Sequence, residues 1–146
     1  MNKLLILGLS IISLAAFSDA NKIADAYSNS SSPSDLVSSG WTKNDGGKGF
    51  KILQIVVKDS GQVAELHIDN SGAVVKTQDS ASDNLDFNYD YKLIATKADW
   101  DDMGTGKSGP MYHMTLGGLS FKGPMGEAMN NMGPFEAFLI NIGKNI

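Results

Sequence analysis

Two histidines, His67 and His113, are the side chains best suited to act as a general base or a metal ligand near neutral pH. Neither has a carboxylate, a cysteine or a second histidine at the short spacing of metal-binding motifs. The serines form no Gly-x-Ser-x-Gly turn, and the absence of cysteine excludes thiolate chemistry and disulfides. We therefore expect no catalytic residue, no metal site and no cofactor.

Two glycine-containing stretches look like ligand-binding loops but fail on spacing. Residues 104–108 read Gly-Thr-Gly-Lys-Ser and end like a phosphate-binding P-loop, yet the first glycine of that motif falls on Asp101. Asp99 and Asp101 begin like a Ca²⁺-binding EF-hand loop, but Pro110 occupies the twelfth position, where an acidic ligand belongs. Neither motif is supported.

Length and charge limit the remaining functions. A chain of 146 residues fits one domain. All 12 basic residues are lysine, and 16 acidic residues leave a net charge of −4. Because arginine is the main side chain for bidentate base and phosphate recognition, we exclude nucleic acid as a partner.

The first 17 residues form an apolar leader. Lys3 precedes a run of 14 apolar or small residues at positions 4–17, too short to cross a bilayer core of about 30 Å. Ser18-Asp19-Ala20 follows and fits a signal-peptidase site. The leader is either a cleaved signal peptide, which places the protein outside the cytoplasm, or an extension of the first helix of a cytoplasmic protein. Residues 18–146 form the domain in both cases.

The N-terminal half predicts one helix followed by strands. Residues 19–28 form a helix, and the serine-rich residues 28–39 around Pro33 form a loop. Residues 50–58 and 63–69 form two strands joined by a turn. In the second strand, alternation places Ala64, Leu66 and Ile68 in the core and exposes Glu65 and His67.

Residues 85–95 show the clearest strand pattern in the chain. The odd-numbered positions are apolar or aromatic, whereas Asp86, Asn88, Asp90 and Lys92 alternate with them as a solvated face rather than a cation site. With a short strand at Val74 and Val75, these segments predict an antiparallel meander of four strands.

The C-terminal part is helical and rich in methionine. Residues 97–103 and 110–116 predict short helices, residues 119–122 a fifth strand, and residues from Met125 onward a long helix interrupted at Gly133-Pro134. Every methionine except Met1 lies between Met103 and Met132. Methionine adapts to partners of varied shape, so this cluster either fills a core or lines a ligand pocket.

The segment from Asp99 to Met132 resembles the sterol carrier protein 2 family. Gly106-Lys107 fits that family's turn, Leu119, Phe121 and Gly123 fit its G-x-L-x-x-x-G strand, and Ala128-Met129 fits its last helix. The resemblance covers about residues 17–142. It departs from the family in the first sixteen residues and in the complete absence of arginine.

The resemblance implies an α+β fold with a five-stranded, mostly antiparallel sheet covered on one face by helices. It also implies an apolar tunnel between the layers that holds fatty acids, fatty acyl-CoA, sterols or phospholipids. We expect aromatic and methionine side chains to form the wall, with His113 either at its mouth or hydrogen-bonded in the core. The predicted ligand-binding residues are Phe87, Tyr89, Tyr91, Trp100, Met103, Met111, Met114, Leu119, Phe121, Met125, Met129, Phe135 and Phe138.

By this resemblance the protein is a non-enzymatic binder and intracellular carrier of a lipid or fatty acyl ligand, with transient membrane contact. Two alternatives stay open. The domain could be an interaction or dimerisation module whose cavity is filled by its own side chains, or an accessory subunit that presents an acyl chain to a thiolase-like enzyme.

Overall fold

A computed structural model describes residues 18–146, so the predicted leader lies outside the described residues. None of the described helices is long and apolar enough to cross a membrane. A 3₁₀ turn at Trp41–Lys43 follows the first two helices. In chain order the helices and strands are α1 (Ser18–Ser28), α2 (Ser32–Ser38), β1 (Phe50–Val57), β2 (Gln62–Asp69), β3 (Val74–Gln78), β4 (Tyr91–Ala95), α3 (Lys97–Thr105), α4 (Pro110–Leu116), β5 (Leu119–Lys122), α5 (Met125–Asn130) and α6 (Met132–Lys144).

The five strands form one sheet in the order β3-β2-β1-β4-β5. Three neighbouring pairs are antiparallel, but β1 and β4 are parallel. The predicted mostly antiparallel sheet is confirmed, whereas the predicted simple meander is wrong. Residues 79–90 carry the chain from β3 past two strands to the far side of β1, and a crossover of that kind returns it in the parallel direction.

The helices pack on one face of the sheet. Alternate side chains of β1, among them Leu53 and Ile55, belong to the same buried cluster as Tyr27 of α1 and Phe138 of α6. The rings of Tyr27 and Phe138 lie 4.7 Å apart, centroid to centroid. The hydrophobic core therefore sits between the sheet and the helices, as the sequence predicts.

Two helical segments differ from their predictions. The serine-rich stretch contains α2, because Pro33 lies in the first turn, where a helix needs no N–H donor, and Leu36 is buried. The C-terminal segment forms two helices separated at Asn131 rather than one helix broken at Gly133-Pro134. Pro134 lies in the first turn of α6, again where proline is tolerated.

The strand predicted for residues 85–95 is wrong in its first half, since β4 begins at Tyr91. Asp86 accepts backbone hydrogen bonds from Tyr89 and Asp90 and turns the chain. The buried Asp90 carboxylate accepts from the backbone N–H groups of Ile52 and Asp86 at 2.8 and 2.9 Å. Side-chain acceptors thus hold residues 86–90 in a turn that alternation alone does not reveal.

The second face of the sheet is also partly covered, which corrects the predicted exposure of Glu65 and His67. Glu65 is fully buried and His67 nearly so. Ser82, from the β3–β4 connection, donates its N–H to Glu65 at 2.8 Å, and Gln54 donates from β1 at 3.0 Å. The ring of Phe50 stacks on His67 at 5.1 Å. A long-range segment therefore covers a face that looks solvated in sequence.

Helices α3 and α6 touch through glycines. A Cβ at Gly104 in α3 meets the backbone carbon of Gly143 in α6 at 2.4 Å. A Cβ at Gly126 in α5 meets nothing within 4 Å, and neither Gly104 nor Gly126 has a positive φ. The contact between α3 and α6 thus depends on the missing side chain.

We expect Gly104→Ala to destabilise the fold by about 1–3 kcal/mol, because the two helices must move apart. Gly126→Ala is the matched control and should be neutral or stabilising by up to about 1 kcal/mol, since alanine favours a helix. Urea unfolding measures both free energies. Equal stability of the two variants contradicts the packing described above.

The Glu65 carboxylate predicts a pH dependence of stability. Burial raises its pKa, but hydrogen bonds from Ser82, Gln54 and His67 outweigh burial, and the net pKa lies below the ordinary value of 4.5. A lowered folded-state pKa stabilises the protein above pH 4.5, and this contribution disappears as pH falls through the folded pKa. Glu65→Gln should therefore be less stable than the wild type at neutral pH, with a gap that narrows in acid. Asp83→Asn, at an exposed site in the same connection, should show no such gap by urea unfolding.

Candidate functional site

The predicted ligand-binding residues divide into buried, partly buried and exposed groups. Met114 and Phe121 are partly buried against the core, and Met111 and Tyr89 lie outside it. Six are buried between the sheet and the helices: Tyr91, Trp100, Met103, Leu119, Phe135 and Phe138.

Three predicted wall residues are not enclosed. Phe87 is 40% exposed, and Met125 and Met129 are each 48% exposed. Phe87 lies in the β3–β4 connection, where Asp86 and Asp90 hold a turn instead of a strand. Met125 and Met129 lie on the outer side of α5, because that helix points Glu127 and Ala128 inward.

The buried wall residues pack on one another. The ring of Tyr91 lies 5.1 Å from both Phe121 and Phe135, centroid to centroid. A crevice between α1, β1 and β2, lined by Ile23 and Ile55, has a volume of about 10 Å³, roughly the space of one water molecule. The open tunnel thus stays a prediction.

A charged group lies inside this apolar layer. Lys51 is fully buried on the helix-facing side of β1, in register with Leu53 and Ile55. Its Nζ forms an ion pair with the Glu127 carboxylate and donates to the Asn44 carbonyl at 3.0 Å. Glu127 comes from α5, whose first turn it occupies. A strand, a loop and a short helix therefore meet at one ammonium group.

Aromatic rings enclose the Lys51 ammonium. Its Nζ lies 4.6 Å from the ring centroid of Trp41 and 5.1 Å from that of Tyr91, both within the range of cation–π attraction. The Tyr91 hydroxyl donates to Glu127 at 3.1 Å. We call Trp41, Lys51, Tyr91 and Glu127 the lysine box. It offers one cation in apolar surroundings.

Burial governs the ionisation of the lysine box. Desolvation lowers the pKa of Lys51 below its ordinary value, and the hydrogen bond and charge of Glu127 partly oppose this. Desolvation and the nearby Glu127 charge raise the pKa of Tyr91, so its hydroxyl stays protonated. Trp41 Nε1 is buried and has no hydrogen-bond partner among the residues described. The box thus holds an unused donor beside its cation.

Of the lysine box, only Tyr91 is among the predicted ligand-binding residues, although the sequence carries one signal for Lys51. Lys51 occupies an inward position of a strand whose other inward residues are Leu53, Ile55 and Val57. A lysine at such a position needs a buried partner. Which carboxylate supplies it is not visible in the sequence, because Glu127 lies 76 residues away.

Comparison with known proteins adds a family and a fold. A model of the SCP-2 sterol transfer family matches residues 40–136, a range that includes the whole lysine box. The crystal structure of sterol carrier protein 2 superposes with a TM-score of 0.61 at 14% identity, covering 89% of this chain and 97% of its own.

A second solved structure gives the same result. The solution structure of a conserved hypothetical protein from Thermus thermophilus, described as possibly a sterol carrier protein, has a TM-score of 0.53 at 16% identity. It covers 87% of this chain and 85% of its own. Among curated proteins there is no match. At these identities the solved structures establish the fold alone.

Removing the Glu127 carboxylate should show how strongly the buried charge of Lys51 destabilises the fold when it has no counter-charge. We expect Glu127→Ala to destabilise the protein by about 3–5 kcal/mol, because Lys51 then lacks its counter-charge. The double variant Lys51→Met/Glu127→Ala should recover most of that loss, since no charge remains buried. Chemical denaturation measures each free energy of unfolding.

The matched control is Asp101→Ala, which breaks the exposed ion pair between Lys97 and Asp101. Exposed pairs of this kind contribute less than about 1 kcal/mol. If the double variant is as unstable as Glu127→Ala alone, the loss comes from the packing of α5 and not from the charge on Lys51.

Proposed function

The chain belongs to the SCP-2 sterol transfer family, and from this premise we propose that it binds and transfers a lipid with an acidic head group, with a fatty acid as the simplest case. The observation that carries the proposal is the lysine box, a single cation buried in apolar surroundings. A ligand carboxylate offers Lys51 the same charge and hydrogen bond that Glu127 provides. The ligand therefore exchanges with a side chain of the protein at that point.

In this proposal, helix α5 is the element that moves when the ligand enters. It has six residues, it ends at the break at Asn131, and Ala128 is its one fully buried residue. Glu127, Lys51 and Asn44 supply the polar contacts that hold it down. Once a ligand carboxylate takes the place of Glu127, α5 loses those contacts and uncovers the layer below it.

The acyl chain then replaces side chains of the core. Each methylene group removed from water contributes about 0.8 kcal/mol, so a long tail offsets substantial repacking. Met103 is buried in this layer and Met114 borders it. Methionine has three flexible bonds and adapts to a tail at little cost. In the liganded state we place Met125 and Met129 over the tail, as the sequence predicts.

Transfer also requires contact with a donor membrane. Among the large apolar side chains of residues 18–146 that are exposed, four lie on α4 and α5, namely Tyr112, Leu116, Met125 and Met129. We propose that these side chains touch the lipid surface briefly. Two of them, Met125 and Met129, lie on α5, the helix that carries Glu127 of the lysine box.

A fluorescent titration tests the acidic head group. We expect a pyrene-labelled fatty acid to bind saturably and its methyl ester to bind more weakly. Lys51→Met should weaken the acid about tenfold or more, because a hydrogen-bonded charge contributes about 1.5–3 kcal/mol, and should leave the ester unchanged. Lys122→Met, at an exposed position of β5, should change neither.

Two outcomes contradict the proposal separately. No saturable binding of either probe excludes lipid binding by the folded domain. Equal weakening of acid and ester by Lys51→Met retains lipid binding but removes the role of the lysine. If Lys51→Met does not fold, Lys51→Met/Glu127→Gln, which buries no charge, takes its place in the same titration.

A second candidate function rests on the packed interior. Because the buried wall residues fill the layer between the sheet and the helices, the second candidate is an interaction or dimerisation module. An acyl-presenting subunit beside a thiolase-like enzyme is a separate alternative, since it too must bind an acyl chain. Native mass spectrometry of freshly purified protein separates the two functions. A bound lipid supports the carrier, whereas a lipid-free dimer or complex supports the module.

A further inference from the structure

A second group of chemically active side chains lies at the outer surface, away from the lysine box. Asp99 and Asp102, one helical turn apart on α3, and His113 of α4 face one open pocket of about 710 Å³. One ligand atom from each residue can be chosen so that all three lie within 4.8 Å of one another. The sequence could not show this, because the loop between α3 and α4 brings His113 back to α3.

His113 is held in place and faces the pocket. Its side chain is 6% exposed, its Nε2 lies 2.6 Å from Ser108 Oγ, and its Nδ1 lies 3.3 Å from Asp99 Oδ1. An imidazole that donates from Nε2 to Ser108 keeps a lone pair on Nδ1. This is how metal-binding histidines are oriented by a hydrogen bond on the opposite nitrogen. His113 is thus buried and hydrogen-bonded, as the core alternative predicts, and its ring also lines the open pocket.

The carboxylate nearest Nδ1 is oriented too. Thr96 Oγ1 donates to Asp99 Oδ2 at 2.8 Å, which leaves Oδ1 directed at His113. Asp102 is partly exposed at the pocket, where Lys107 Nζ lies 3.7 Å from its Oδ1. Because the Lys107 side chain is 76% exposed, that ion pair is weak and a cation of higher charge displaces it.

Glycine at position 118 leaves space for an ion. A Cβ at Gly118 comes to 2.6 Å from His113 Nδ1 and 3.3 Å from Asp99 Oδ1. The backbone there does not have the positive φ that favours glycine, so the fold does not require glycine for its conformation. The missing side chain instead keeps the volume beside Nδ1 open.

From this geometry we propose that Asp99, Asp102 and His113 form a binding site for a zinc-like divalent transition metal. Zinc ligands lie about 2.0–2.2 Å from the metal at tetrahedral corners, so neighbouring ligand atoms are about 3.4 Å apart. The separation of 3.3 Å between Nδ1 and Oδ1 matches that edge. The imidazole favours zinc over calcium or magnesium, which select oxygen ligands.

A catalytic relay explains the same residues less well. In a Ser108–His113–Asp99 relay, the carboxylate accepts a hydrogen bond from Nδ1, and such charge-assisted bonds measure about 2.7–2.9 Å. The observed 3.3 Å is longer, and the relay gives Asp102 no role. A cation uses all three groups. The bound metal ion joins α3 to α4 and keeps a fourth coordination position open to the pocket.

The test uses the full-length chain after chelator treatment. We expect isothermal titration to show one Zn²⁺ per chain, and excess Zn²⁺ to raise the melting temperature, since a metal that binds only the folded state stabilises it. Co²⁺ should give the visible absorption of tetrahedral coordination. Ca²⁺ should produce none of these signals.

Three variants decide where the metal lies. Asp102→Asn and Gly118→Ala should each weaken Zn²⁺ binding at least tenfold, the first by removing a ligand and the second by filling the space beside Nδ1. Asp101→Asn, at an exposed neighbouring position, should bind as the wild type does. If Gly118→Ala fails to fold, Asp102→Asn alone decides. No stoichiometric binding, or binding that Asp102→Asn leaves intact, overturns the site. Neither result bears on lipid binding.

Discussion

The burial of one ammonium group constrains the whole helix-facing side of this protein. Moving a charge out of water costs several kcal/mol even after the protein relaxes, so Lys51 is tolerated only where its partners are fixed. Glu127 supplies the opposite charge, the Asn44 carbonyl accepts a hydrogen bond, and two rings offer their faces. Strand β1, the loop before it, β4 and α5 must therefore meet in a single arrangement.

The connection between β3 and β4 is held by the same principle with opposite charge. The buried carboxylates of Glu65 and Asp90 accept hydrogen bonds from the β3–β4 connection, including the backbone N–H groups of Ser82 and Asp86. A connection without regular structure needs such acceptors for its buried N–H groups. The crossover that makes β1 and β4 parallel is thus held by side chains.

The helix side differs in how much it can adapt. Helix α5, which carries Glu127, is short, and methionines of the helix side, such as Met103 and Met114, repack at low cost. A filled interior is compatible with a carrier under these conditions, because the side chains that occupy the layer in the free protein take the place of the ligand. On the proposed function, the charge pair between Lys51 and Glu127 makes opening selective for an acidic lipid, because α5 must exchange its polar contacts.

The order of residues within short stretches predicts many of the strands and helices, whereas only the tertiary structure shows which side chains from distant parts of the chain meet. Strand β1, helices α3 and α4, strand β5 and the resemblance of residues 99–132 to a lipid-binding family follow from the order of apolar residues, glycines and prolines along the chain. These short-range properties place six of the predicted wall residues in the core.

Alternation predicts that Glu65 is solvated, and only the packing of residues 79–90 across the sheet shows it to be buried. Lys51 meets Glu127, and His113 meets Asp99, through contacts that no periodicity records. The physical reason is that hydrophobic periodicity reports which side of an element faces away from water, while the partner of a buried charge is set by where separate elements come together in space.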